Sequence, residues 1–118
     1  MTMDDLQMEK YLNIEEALKR MGGNMKLLKK VLTTFLDTQS HFEQLQKEIE
    51  ANDREAALKS VHAFKGIAGN LSMTTLYELC PPFETILKTD ADISEFGSSF
   101  DDAYKKTMEC VITILPTI

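Results

Sequence analysis

Apolar residues recur along this chain at helical spacing, and no segment shows the alternation of a strand. Leu28, Leu32, Phe35, Phe42, Leu45 and Ile49 keep one face after Asn24, whose side chain can cap the start of a helix. The pattern predicts one long helix from Asn24 to a short turn at Asn52-Asp53. Asp53 can cap a second helix that runs to about Asn70. Leu76, Cys80, Phe83 and Leu87 line a third. After a loop over Thr89 to Ser94, Phe96, Phe100, Ala103, Thr107, Cys110 or Val111, and Ile114 mark a fourth. Upstream, Asn13 can cap a short helix through Arg20, with Glu15 and Glu16 in the first turn, where the helix dipole favours acids. Gly22-Gly23 ends it. Residues 4–11 predict a weak leading helix or a strap. Pro81-Pro82 falls inside the third long helix and predicts a kink or a break there, because proline removes a hydrogen bond from the ladder.

Long helices joined by loops of a few residues become antiparallel neighbours. The expected fold is therefore all-α, an antiparallel up-and-down four-helix bundle with a short additional N-terminal helix, residues 13–20, across one end. The chain 1–118 reads as one domain, with 1–12 as the strap or weak helix and 13–115 as the bundle. With 118 residues, 43% of them hydrophobic and 27% charged, the composition is that of a globular domain with a real core rather than a disordered chain. The net charge of −6 repels phosphate backbones and argues against nucleic acid as a partner. No window approaches the run of about 18 apolar residues that a membrane span needs. Met1-Thr2-Met3-Asp4-Asp5 is acidic and lacks the apolar centre of a signal peptide. Cys80 and Cys110 have no metal-ligand spacing, and reduced thiols are their simplest account. The expected location is cytoplasmic, and the start methionine favours a free-standing protein.

The most informative stretch lies inside the second long helix: His62-Ala63-Phe64-Lys65-Gly66-Ile67-Ala68-Gly69-Asn70. At about 100° per residue, His62, Lys65, Gly66 and Gly69 share one narrow face, with Leu58 and Lys59 beside them. Phe64, Ile67, Ala68 and Leu71 fall on the other side with Ala57. The histidine thus points away from the apolar stripe. Each glycine costs roughly 1 kcal/mol relative to alanine in a helix interior, so the helix has bared a patch of surface around a titratable nucleophile. A solvated histidine is the ordinary reading of such a residue, and a helix cap explains Gly69. Neither explains Gly66, a turn earlier. Lys65, one turn after His62, can offset the charge of a phosphoryl group on Nε2, and Lys59, one turn before, can do so more weakly. If the next helix packs antiparallel, the position level with His62 is near Phe83 or Glu84. A Glu84 carboxylate within hydrogen-bonding reach could accept the imidazole Nδ1–H and leave Nε2 free. It could equally be a solvated acid paired with Lys88 at i+4.

His62-x-x-Lys65-Gly66 followed by Asn70-Leu71 resembles the phosphoacceptor motif of histidine-containing phosphotransfer (HPt) domains. The flanks agree. Glu16-Ala17-Leu18-Lys19-Arg20-Met21-Gly22-Gly23-Asn24 and Leu27-Leu28 resemble the junction before the family's first long helix, and Leu79-Cys80 and Phe83-Glu84 its pairs after the motif. The resemblance spans roughly residues 13 to 115. It implies a phosphocarrier with no kinase activity of its own. The histidine takes a phosphoryl group from an aspartyl phosphate on a response-regulator receiver and passes it to another receiver. Carried onto this chain, His62 is the phosphoacceptor and Lys65 the phosphate-side cation, with Lys59 beside it. Gly66 gives steric access and Glu84 orients the imidazole. Gly69, which departs from the commoner alanine, widens the exposed patch. Leu58, Leu18 and Met21 are the expected centre of receiver docking. Receiver domains are the expected partners, with a hybrid sensor histidine kinase as a further candidate. No cofactor or metal of the chain's own is expected. Mg²⁺ comes from the receiver, because no acidic cluster flanks His62. Two departures from the family are Ile67, where a serine is usual, and Ser72, where glycine is favoured.

The competing reading is a helical interaction module that binds a receiver or another signalling domain without being phosphorylated, but a scaffold needs none of His62, Lys65 and Gly66. A general base works in a pocket, and His62 is expected on a convex surface. His41, beside Phe42, is read as solvated, and with only two histidines a metal site is disfavoured.

Overall fold

Helices begin in this protein where a polar side chain can satisfy the first free amides. In the computed structural model, which describes residues 4–118, the side-chain oxygens of Asn13, Asn24 and Asp53 accept from the backbone N–H three residues on, at 3.1, 3.0 and 3.3 Å. These caps open α2 (Ile14–Arg20), α3 (Met25–Phe35) and α5 (Arg54–Asn70). Asp4 caps α1 (Asp5–Tyr11) in a reciprocal capping box with Gln7. The remaining helices are α4 (Gln39–Glu50), α6 (Thr74–Leu87) and α7 (Ser94–Ile114). No strand occurs among the described residues.

The bundle is all-helical, as the periodicity implies. Its four rods are α3 with α4, then α5, α6 and α7. Residues 51–53 and 71–73 make the tight reversals on either side of α5. The core runs down the middle as stacked aromatics. Phe42 lies flat on Tyr104 at 4.0 Å between ring centroids, and Phe64 meets Tyr104 and Phe100 edge-on at 5.6 and 5.5 Å. Phe35 and Phe83 extend the stack, and all these rings are buried. Each such burial contributes on the order of 2 kcal/mol. Lacking a long helix of its own, the N-terminal segment packs outside the bundle, with α1 against α6 and α7. The first three residues of the expected strap lie outside the described residues.

Two local expectations change. The predicted long helix from Asn24 is interrupted by a 3₁₀ turn, Leu36–Thr38. Around it the hydroxyls of Thr33, Thr34 and Thr38 donate to the carbonyls of Lys29, Val31 and Phe35. Hydroxyls that bond back to preceding carbonyls compete with the ladder and tighten the turn. Thr38 also shares a 2.8 Å hydrogen bond with the buried Tyr104 hydroxyl, which fixes the tightened turn to the core. Conversely, α6 runs without a break through Pro81 and Pro82. Both prolines are exposed, so the carbonyls of Tyr77 and Glu78 that lose an amide partner can turn to water.

Candidate functional site

α5 places His62 at its centre, and the packing of α5 decides what that residue meets. Ala57, Val61, Phe64 and Ala68 are buried against the bundle, so the opposite face is left to solvent. The His62 side chain is 73% exposed. At Gly66, one turn on, an added Cβ would meet nothing within 4 Å. The access expected at Gly66 is thus open in the folded chain.

Gly69 is different. A Cβ there would stand 3.2 and 3.3 Å from Cε2 and Cδ2 of Tyr77. The ring of α6 lies over this glycine, so Gly69 seats an aromatic ring rather than widening the patch. Tyr77 keeps 41% of its surface exposed and faces the same cleft as His62. That cleft, of about 590 Å³, is lined by Lys65, Gly66, Gly69 and Tyr77 and by Glu16 and Arg20 of α2. Tyr77 and Arg20 were not singled out by the sequence. Tyr77 carries a signal only when α6 is laid against Gly69, and Arg20 reads as an ordinary last-turn cation.

Glu84 projects from α6 beside the buried Phe83 and Cys80, level with His62 across the tight turn. Its Oε1 lies 3.6 Å from His62 Nδ1 and 3.7 Å from Lys65 Nζ. The carboxylate therefore faces the ring, and among the described residues no ion pair joins it to Lys88. The separation is longer than the expected direct hydrogen bond. Ring and ammonium approach the same oxygen from two sides without closing a hydrogen bond, and that oxygen is buried without a hydrogen-bond partner. A buried carboxylate oxygen is costly unless cations face it, and here two basic groups do. Beneath them burial pushes the Cys80 thiol up to about 12, with the Glu84 charge adding to the rise and Lys65 opposing it. Cys110 is pushed up to about 11 by burial, so both thiols are inert packing residues.

The other expected residues spread around this centre. Lys59 is exposed and lines a separate groove of about 320 Å³ with His41, Ser60, Phe64 and Ile67, on the α4 side of α5. Leu58, Leu18 and Met21 are half-buried against the core. Leu18 borders a different cleft, with Asn13, Glu15 and Gly22. The part of α2 that meets the His62 cleft is thus Glu16 and Arg20. Arg20 Nη2 donates to Glu16 Oε1 at 3.1 Å, and this bond, with a second from Ser72, holds the Glu16 carboxyl below the usual range. Among the described residues no cluster of three or more histidine, cysteine, aspartate or glutamate side chains could hold a metal ion. No helix there is long and apolar enough to cross a membrane.

The site is thus an exposed imidazole beside an open glycine, backed by a carboxylate and a lysine. The family model for the Hpt domain matches residues 30–110. This chain belongs to the Hpt domain family, a family of phosphotransfer modules that act as phosphocarriers in phosphorelays and are not kinases. The fold agrees. The crystal structure of the HPT domain from a sensor hybrid histidine kinase of Shewanella is similar over 92% of this chain and 97% of that one, with a TM-score of 0.84 at 22% identity. No curated protein matches the sequence.

Proposed function

We propose that His62 is the phosphoacceptor of this phosphocarrier, taking a phosphoryl group from the aspartyl phosphate of a response-regulator receiver and handing it to a second receiver. The observation that carries this reading is the 73% exposed His62 side chain with open space over Gly66 one turn away. In the forward step the Nε2 lone pair attacks phosphorus, the N–P bond forms, and the P–O bond to the aspartyl carboxyl breaks, leaving that carboxylate as its anion. Nδ1 keeps its proton throughout. The phosphorylated ring is then cationic, and Glu84 faces it from the Nδ1 side. Lys65, one turn after His62, offsets charge on the phosphoryl oxygens, and Lys59 serves more weakly from its own side. The return step reverses these bonds on a second receiver.

The chain supplies no cofactor in this reading. Mg²⁺ arrives with the receiver, whose surface covers His62 and excludes water during in-line transfer. Leu58, with Leu18 of the short helix and Met21 just after it, forms the apolar docking contact. A cytoplasmic site of action follows from such partners, among which a hybrid sensor histidine kinase is included. Incubation with a panel of receivers carrying labelled aspartyl phosphate tests the proposal. Acid-labile, base-stable label on this chain is expected. Specific receiver binding with no transfer of label would instead identify a non-phosphorylated interaction module.

A further inference from the structure

Helix α2 has only seven residues, too few to be stable alone, so its position depends on what holds it. Its C-terminal end closes on itself: with Gly22 and Gly23 at φ +66° and +78°, their N–H groups donate to the Lys19 and Leu18 carbonyls of α2 at 3.0 and 2.9 Å, bonds that cap the helix without fixing it to the rest of the bundle. Apart from the apolar packing of Ala17, Ile14 and Leu18, its polar tie to the rest runs through the turn between α5 and α6. At the start of α2, Asn13 N–H donates to the Ser72 carbonyl at 3.1 Å. Further along, Arg20 Nε donates to Ser72 Oγ at 3.0 Å, and Ser72 Oγ donates to Glu16 Oε1 at 3.1 Å. Arg20 and Glu16 close the triangle. One serine therefore holds two successive turns of α2.

That serine occupies a costly position. Ser72 is buried and has φ +54°, a left-handed conformation that glycine adopts without steric strain and other residues resist. A turn that had only to reverse the chain would be better served by glycine. Serine adds a hydroxyl, and the hydroxyl reaches α2 inside the cleft that also holds His62 and Lys65. We propose that Ser72 is a positioning residue for phosphotransfer: its hydroxyl pins α2 against the α5–α6 turn and so fixes the part of the receiver-docking surface beside His62. This rests on the phosphocarrier reading above.

Ser72→Gly removes the hydroxyl and relieves the backbone, while Ser72→Ala removes it and keeps the strain. Buried Ala17 still anchors α2 in both, so the chain folds. In both variants amide hydrogen exchange over residues 14–20 should quicken by about tenfold, the scale of one or two lost hydrogen bonds. With the receiver that labels the wild-type chain fastest, KM should rise about three- to tenfold at an unchanged saturating rate. Labelling of His62 by phosphoramidate, which needs no docking, should not change. Only Ser72→Ala should lower Tm. Wild-type protection over residues 14–20 in Ser72→Gly would overturn the inference, as would a wild-type KM with α2 loosened. A wild-type chain that takes label from neither donor overturns the phosphocarrier reading itself and this inference with it, whereas failure of the pin alone appears only in the variants.

Discussion

Gly66 and Gly69 lie three residues apart on one face of α5 and serve opposite ends. Over Gly66 there is empty space, and over Gly69 there is the ring of Tyr77 at 3.2 Å. Two identical residues with the same helical cost thus mark an approach left open for a partner and a contact closed by the chain itself. The absence of a side chain has meaning only once its surroundings are known. Around His62 the helix is open toward solvent. Two turns later, at Gly69, it becomes part of the packing between α5 and α6.

The comparison is broken most severely by filling the open glycine. Gly66→Gln should keep the fold and keep His62 accessible to phosphoramidate, yet slow transfer from a receiver by about a hundredfold, the scale of a misplaced reacting pair. Normal receiver kinetics in this variant would place docking elsewhere. A smaller effect is expected at the closed side of the site. Glu84→Ala removes the carboxylate that faces Nδ1 and should slow transfer about tenfold, as loss of an orienting partner does, without preventing it. It also frees Lys65 from its 3.7 Å neighbour. Single-turnover transfer rates at saturating receiver separate this from a docking defect. The smallest effect sharpens the comparison directly. Gly66→Ala should stabilise the protein by about 1 kcal/mol, since helix propensity is gained and nothing is met. Gly69→Ala should gain clearly less, because the Tyr77 ring must move outward to admit the methyl. Urea denaturation of both variants measures the difference, and equal gains would mean that Tyr77 does not press on Gly69.

These positions also show how far the sequence could be read. The caps at Asn13, Asn24 and Asp53 and the apolar stripes are local signals, and the helices begin where those signals lie. His62 was legible because one residue's direction on a helix follows from its neighbours' spacing. Glu84 was legible by register, since the tight turn after α5 makes the next helix run back alongside it. Its 3.6 Å separation from His62, with Lys65 at 3.7 Å from the same oxygen, was not, because side-chain distances between helices are set by packing rather than by register. Gly69 differs from its sequence reading for the same kind of reason: its partner sits on another helix, and only the packing brings Tyr77 over it. The 3₁₀ turn at Leu36–Thr38 was hidden behind an unbroken apolar stripe. Pro81 and Pro82 suggested a break that solvent exposure makes unnecessary. Ser72 did leave a trace, as a serine where the family favours glycine, but its hydrogen bonds to α2 connect residues far apart in sequence.

In the proposed function the exposed imidazole itself carries the phosphoryl group. This is tested most directly by exposing wild-type protein and His62→Gln to the same labelled receiver and following label and Tm together. With its side chain 73% exposed, His62 contributes little to stability, so the variant should melt within the range of a surface substitution, about 0.5 kcal/mol. Acid-labile label is expected on the wild type and none on the folded variant. Label of equal amount on folded His62→Gln would contradict the proposed function.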